Sequence, residues 1–76
     1  MPTILRIGGY RFYWYSKEEC EPIHIHVRHE NRRAKFWLSP LSVARNQGFA
    51  EHELKRIKTM LNENLAIIEE AWYGKQ

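Results

Sequence analysis

The stretch that most constrains the fold of this chain covers residues 21–30, where two kinds of side chain alternate strictly. Apolar residues alternate with two histidines and an arginine, in the order Ile23, His24, Ile25, His26, Val27 and Arg28. A period of two is typical of a β-strand with one buried and one exposed face. The two imidazoles and the guanidinium are therefore predicted to lie on one side of a sheet, facing away from the core.

A β-hairpin is predicted before this strand, because Gly8 and Gly9 separate two short runs of apolar and aromatic residues. A Gly-Gly pair suits a two-residue turn, since both positions take a positive φ. The expected register pairs Ile7 with Tyr10, Arg6 with Arg11, Leu5 with Phe12, and Ile4 with Tyr13.

A second hairpin is expected next, with residues 30–33 as its loop and residues 34–39 as its returning strand. The expected pairs are His29 with Ala34, Arg28 with Lys35, Val27 with Phe36, His26 with Trp37, and Ile25 with Leu38. In this register apolar residues oppose apolar ones, and polar residues oppose polar or aromatic ones, as a half-buried sheet requires.

Helices are predicted in the second half of the chain. Ser39-Pro40 is a helix-start signal and Gly48 a stop signal, which together indicate a short helix over residues 41–46. Arg45 and Asn46 would then help to cap this helix, and the alternative is that they border the site predicted below on the sheet. From Ala50 to Gly74 a single long helix is indicated by apolar residues at steps of three and four, namely Leu54, Ile57, Leu61, Leu65, Ile68 and Trp72.

The predicted fold is one α+β domain over residues 1–76, a four-stranded antiparallel meander with one short and one long C-terminal helix packed on one face. A chain of 76 residues supports one small core. That core is predicted to contain Leu5, Ile7, Tyr10, Phe12, Trp14, Ile23, Ile25, Val27, Phe36 and Leu38.

The opposite side of the sheet, which we call the second face, is predicted to be uncovered. By the same alternation it carries Arg6, Arg11, Tyr13, Tyr15, His24, His26, Arg28, Lys35 and Trp37. Like charges directly opposed across strands are destabilising, and a bound anion would relieve them. Because cations hold phosphates and exposed aromatic rings stack on bases, we predict nucleic-acid binding by Arg6, Arg11, Tyr13, Tyr15, Lys35 and Trp37.

Two other interpretations of the second face stay open. Its cations are also consistent with solvated surface residues, or with partners of the acidic residues Glu18, Glu19 and Glu21. Its aromatic residues are equally consistent with a dimer interface, since exposed apolar patches commonly mark contacts between proteins.

Three roles compete for the two histidines of the alternating stretch. As an acid–base pair, His24 and His26 would be catalytic together with Arg28, which would stabilise a developing oxyanion during RNA cleavage. As metal ligands they would need a third partner, for which the candidates are Cys20, Glu21 and His52. The third role is structural. No cofactor is expected, and the sequence does not decide whether a metal is bound.

Charge and cysteine content suggest the compartment and the kind of partner. The net charge is +3, and residues 1–45 carry eight Lys or Arg against four Glu, an excess compatible with a phosphate-bearing partner. Cys20 is the only cysteine, so a reducing compartment is the simpler assumption. We expect a cytoplasmic protein that does not contact a membrane.

Four ordered motifs resemble a family of small prokaryotic proteins, the domain of unknown function with serial number four-one-six-zero. They are P-T-I-L-R-I-G-G-Y-R-F-Y-W-Y-S, E-P-I-H-I-H-V-R, A-K-F-W-L and A-R-N-Q-G-F. Members of that family typically have E-P-P-H-V-H-V where this chain has Ile23 in place of the second proline. They often have serine where Ala50 stands, so the long helix is expected to lack a good cap.

The resemblance also implies a genetic setting, because genes of this family tend to lie beside another small gene in arrangements like toxin–antitoxin pairs. The function expected is therefore a small toxin–antitoxin component that engages RNA, DNA or a cognate protein through the second face. The alternatives are a non-catalytic, dimerising interaction module and a metal-dependent hydrolase.

Overall fold

In the computed structural model, residues 3–14 and 22–74 are described, and they form one sheet and two helices. The elements are β1 (Thr3–Ile7), β2 (Tyr10–Tyr13), β3 (His24–His29), β4 (Arg32–Leu38), β5 (Leu41–Gln47), α1 (Glu51–Glu63) and α2 (Leu65–Gly74). The strands are antiparallel and lie in the order β1-β2-β3-β4-β5. The α+β class and the meander are confirmed, but the sheet has five strands and not four.

The fifth strand replaces the short helix predicted over residues 41–46. Ser39 and Pro40 form the turn between β4 and β5, because serine and proline favour turns as well as helix starts. Leu41 and Val43 both pack against the core. They are two residues apart, which is the spacing of side chains on one face of a strand. The predicted capping roles of Arg45 and Asn46 are therefore wrong.

The first hairpin has the predicted register at its turn. Gly8 and Gly9 have φ values of 52° and 87°, and the three predicted pairs nearest the turn are formed. Further from the turn the register shifts, and Thr3 takes the place opposite Tyr13 that was predicted for Ile4.

The second hairpin is two residues tighter at its turn than predicted. Glu30 and Asn31 alone form the turn, and Glu30 has a φ of 59°. The observed pairs are His24 with Trp37, Ile25 with Phe36, His26 with Lys35, Val27 with Ala34, Arg28 with Arg33, and His29 with Arg32. Because the error is an even number of residues, every side chain keeps the face that was predicted for it.

The core lies between the sheet and the two helices. Seven of the ten predicted core residues are buried, and the other three, Leu5, Ile7 and Ile23, are partly buried against them. Ala34 of β4, Phe49 from the segment between β5 and α1, and four helical residues, Ile57, Leu61, Ile68 and Trp72, complete the buried core. The amphipathic stripe of the second half of the chain was thus correctly assigned to the core.

The predicted long helix is interrupted at Asn64. The side-chain Nδ2 of Asn64 donates a hydrogen bond of 2.8 Å to the carbonyl of Met60, and its backbone departs from helical geometry with φ −118° and ψ 17°. An asparagine side chain competes in this way for backbone carbonyls near a helix end. No helix in the described ranges has the length and apolar character needed to cross a membrane.

The start of α1 is held to the sheet by a charged contact. Glu53 Oε1 accepts a hydrogen bond of 3.2 Å from the backbone N–H of Ala50, which is half of a capping box. The same carboxylate forms an ion pair of 3.2 Å with Arg32 of β4. This contact sets the position of α1 relative to β4.

Candidate functional site

Four arginines on the second face stand in line across four adjacent strands. Arg6 of β1 opposes Arg11 of β2, Arg11 opposes Arg28 of β3, and Arg28 opposes Arg33 of β4. Gln47 of β5 opposes Arg33 and ends the line. With neighbouring strands about 4.8 Å apart, this arginine row (Arg6, Arg11, Arg28 and Arg33) is about 14 Å long.

Most of the arginine row is open to solvent. Arg6, Arg28 and Arg33 are exposed, and Arg11 is half-buried. The ion pairs within the described part of the chain involve none of the three exposed arginines. Arg28 donates from Nε to the carbonyl oxygen of Glu30 at 3.1 Å. The positive charge of these guanidiniums is therefore available to an external anion.

A second line of side chains runs parallel to the arginine row on the same face. Tyr13 opposes His26, His26 opposes Lys35, and Lys35 opposes Arg45. We call this set (Tyr13, His26, Lys35 and Arg45) the mixed row. It lies two residues along the strands from the arginine row, which is about 7 Å.

A β-bulge at Ala44 shapes the end of the mixed row. Lys35 opposes Arg45 while the next residue, Phe36, opposes Val43, so Ala44 has no residue opposite it. Bulges bend a strand and re-aim the neighbouring side chains. Beside this bulge lies a cavity of about 130 Å³, lined by Tyr13, His26, Arg33, Ala34, Lys35, Arg45 and Gln47.

The aromatic residues of the second face are less exposed than predicted. Tyr13 is only 3% exposed. The ring of His26 stacks on it with a centroid distance of 5.4 Å, and the guanidinium of Arg11 lies 5.2 Å from its ring centroid. Trp37 is half-buried, with Lys35 Nζ 4.6 Å from its ring centroid. The prediction that Tyr13 is an exposed platform for a base is wrong. Tyr15 lies outside the described residues.

His24 is completely buried, with 0% exposure, so the prediction that it stands on an uncovered surface is wrong. Its Nδ1 lies 2.9 Å from the carbonyl oxygen of Pro22, and because a carbonyl only accepts, Nδ1 is the protonated nitrogen. Its ring contacts Trp72, Trp37 and His26 edge-on, with centroid distances of 5.1, 5.8 and 5.3 Å. In this position His24 supports the end of β3 and does not face a substrate.

The structure gives the three predicted catalytic residues different degrees of exposure. His26 is half-buried and lines the cavity, whereas Arg28 belongs to the exposed arginine row and His24 is enclosed. Among the described residues, no group of three His, Cys, Asp or Glu side chains could hold a metal ion. Of the suggested third ligands, His52 is exposed on α1, and Cys20 and Glu21 lie outside the described ranges.

Two polar residues of the site, Arg33 and Gln47, were missed from the sequence, and Arg45 was placed at its border only as the alternative to a helix cap. Arg33 was assigned to a loop and Gln47 to no element. A signal was present for the first, because the alternation of Lys35 and Trp37 extends backward to Arg33. No comparable alternation marks β5, because its last four residues are all exposed.

The described residues define a small α+β domain with helices packed against one face of a five-stranded sheet and a cationic second face. A model of the family described as Domain of unknown function (DUF4160) matches residues 9–73. The chain belongs to that family, which confirms the resemblance found in its motifs. No curated protein and no solved structure was found to be similar to the chain.

Proposed function

We propose that this protein is a cytoplasmic nucleic-acid-binding module that holds RNA by its phosphates, with the second face as its binding surface. The observation that carries the proposal is the arginine row. Its members Arg6, Arg28 and Arg33 are exposed, and like charges placed directly opposite one another, as those of Arg28 and Arg33 are, destabilise a sheet. A polyanion lying along the row would remove this repulsion, because each guanidinium donates two parallel hydrogen bonds to a phosphate.

The aromatic residues support binding to the backbone of the nucleic acid in preference to its bases. Base recognition on a sheet uses aromatic rings that are open for stacking. Here Tyr13 is buried beneath His26 and Arg11, and Lys35 lies over Trp37. We therefore expect affinity to depend weakly on base sequence, as contacts to phosphate and sugar do.

The proposed role is binding without cleavage. Acid–base catalysis by a histidine pair needs both imidazoles within reach of the reacting atoms, and His24 has no exposed surface. Incubation of labelled RNA with the purified protein should therefore leave the RNA intact. Cleavage that is lost in His26→Ala would favour the catalytic alternative.

The salt dependence of RNA binding tests the proposal. If four phosphates are contacted, the logarithm of the association constant should fall with the logarithm of salt concentration with a slope of about −3. Arg28→Gln should weaken binding and make that slope less steep by about 0.7. Fluorescence anisotropy with a short labelled RNA measures both quantities.

The matched control for this variant is Arg56→Gln, which removes an exposed arginine from α1 in the helical layer. It changes the net charge by the same amount, so it should leave the slope and affinity nearly unchanged. Equal effects of the two variants, or binding that does not respond to salt, would contradict the proposal.

The toxin–antitoxin setting implied by the family resemblance stays part of the proposal. In that setting the protein would work with the product of the neighbouring gene, and co-expression of the two followed by purification identifies the partner. A protein complex that survives Arg28→Gln, without nucleic acid, would favour the alternative of a protein-interaction module. A second copy of this chain as the bound species would favour a dimer.

A further inference from the structure

We infer that the cavity at the bulged end of the mixed row is a subsite for a terminal phosphate, so that the ligand is the phosphorylated end of a nucleic-acid strand. This inference rests on the proposed function. It adds the class of ligand, because an internal phosphodiester and a terminal phosphomonoester differ in charge and in shape.

The charge of the cavity suits a phosphomonoester. Arg33, Lys35 and Arg45 all line it, and none of its described lining residues carries a carboxylate. The remaining polar groups around it are an amide, an imidazole and a phenol. A phosphomonoester carries a charge of about −1.5 to −2 at neutral pH and offers three acceptor oxygens, whereas an internal diester carries a single charge. The two exposed guanidiniums of Arg33 and Arg45, with Lys35 beside them, match the more highly charged group.

The size of the cavity is compatible with the same assignment. An internal phosphate continues into the chain on two sides and needs an open path in both directions. A terminal phosphate has only one ester bond, so it can enter a recess with its three other oxygens first. The cavity volume of about 130 Å³ is well above the 10–15 Å³ or so of probe-occupied space that one water molecule needs.

The position of the cavity gives the bound strand a direction. Arg33 lines the cavity and is also the last member of the arginine row. A strand whose end lies in the cavity can therefore continue over Arg28, Arg11 and Arg6. The bulge at Ala44 contributes by bringing Arg45 opposite Lys35, which completes the set of cations on β4 and β5.

The test is competition by three unlabelled RNAs of identical sequence, ending in a 5′-phosphate, in a 3′-phosphate, or in hydroxyls at both ends. Each competes against a labelled hydroxyl-ended RNA for the full-length protein. One phosphorylated form should bind about tenfold tighter than the hydroxyl form, as expected for added charge-assisted hydrogen bonds. Inorganic phosphate should abolish this preference before it displaces the hydroxyl-ended RNA.

Two variants locate the preference in the cavity. Arg45→Gln should reduce the tenfold preference to nearly one, because Arg45 is exposed and lies in the cavity wall. Arg6→Gln, at the far end of the arginine row, should weaken all three RNAs in equal proportion and keep the preference. Circular dichroism shows whether both variants are folded, and the phosphate competition on the unmodified protein needs neither variant.

The outcomes separate this inference from the proposed function. Equal competition by the three RNAs, with salt-dependent binding intact, overturns the terminal-phosphate subsite alone. A preference that persists in folded Arg45→Gln also overturns the assignment to this cavity. If no RNA binds in a salt-dependent way, both the subsite and the proposed function are overturned.

Discussion

His24 and His26 lie two residues apart on the same side of β3, yet their surroundings differ. His24 is enclosed by Trp72, Trp37 and His26 and bonded to the Pro22 carbonyl. His26 is half-buried at the edge of the cavity. Strand alternation predicts the side on which a residue lies, but burial depends on distant residues such as Trp72. The prediction that both imidazoles lie on the same side of β3 was therefore correct, but the predicted exposure of His24 was wrong.

The difference between the two histidines predicts different effects on stability. His24→Ala removes a buried ring and its hydrogen bond, so the free energy of unfolding should fall by about 2–4 kcal/mol. His26→Ala should lower it by less than about 1 kcal/mol, since that ring is half-buried. Urea denaturation followed by tryptophan fluorescence measures both. Equal losses would show that the two histidines have the same structural role.

At the scale of elements, β5 and the turn before β4 were the parts that the sequence did not predict. Ser39-Pro40 is a local signal shared by turns and helix starts, and the choice between them depends on hydrogen bonding to β4. The pairing of β5 with β4 is a tertiary interaction, and the local sequence around Ser39-Pro40 does not determine it. As a direct result Arg33 was missed from the site and Arg45 was assigned first to a helix cap, while Arg6, Arg11, Arg28 and Lys35 lay in correctly predicted strands.

The start of α1 provides a prediction at the same scale. Ala50 is at the N-cap position with extended backbone, φ −74° and ψ 161°, and makes no side-chain cap. Ala50→Ser should complete the capping box with Glu53 and raise the free energy of unfolding by about 1 kcal/mol.

Thermal denaturation measures this gain, and Ala66→Ser is the control. Ala66 is exposed in α2, where serine has a lower helix propensity than alanine, so that change should lower stability by a few tenths of a kcal/mol. A stabilising effect of Ala66→Ser would mean that the gain at Ala50 does not come from capping.

At the scale of the whole molecule, the assignment of residues to the two faces was predicted well although one register was wrong. The register error in the second hairpin was two residues, so each side chain kept its predicted face. The alternation of apolar and polar residues was therefore enough to predict which residues lie in the core and which on the cationic surface. The degree of burial of each residue and the cavity were not predicted, because both depend on side chains from elements far apart in the chain. The break at Asn64 was missed for a local reason, since the Asn64 side chain bonds the Met60 carbonyl within a stretch whose apolar periodicity continues through it.

The ion pair between Arg32 of β4 and Glu53 of α1 joins the sheet to the helical layer, and its contribution to stability can be measured. Glu53 is 8% exposed, and Glu53→Gln removes the charge from the ion pair while leaving an oxygen that can accept from Ala50. We expect a loss of about 1–3 kcal/mol in the free energy of unfolding, because the Arg32 guanidinium loses the better buried of its two charged acceptors and keeps only the exposed Glu30. Chemical denaturation measures it.

The control is Glu51→Gln, an exposed carboxylate in the same first turn of α1. It weakens the favourable interaction with the helix dipole by a few tenths of a kcal/mol at most. If both variants lose the same stability, the dipole and not the ion pair accounts for the effect of Glu53.

Each arginine of the arginine row comes from a different strand, from β1 through β4. A nascent chain still emerging from the ribosome, or a fragment cut inside the second hairpin, cannot present the complete set of guanidiniums. The full row exists only after the first four strands have been synthesised and paired, so an incomplete polypeptide has the charges without their alignment.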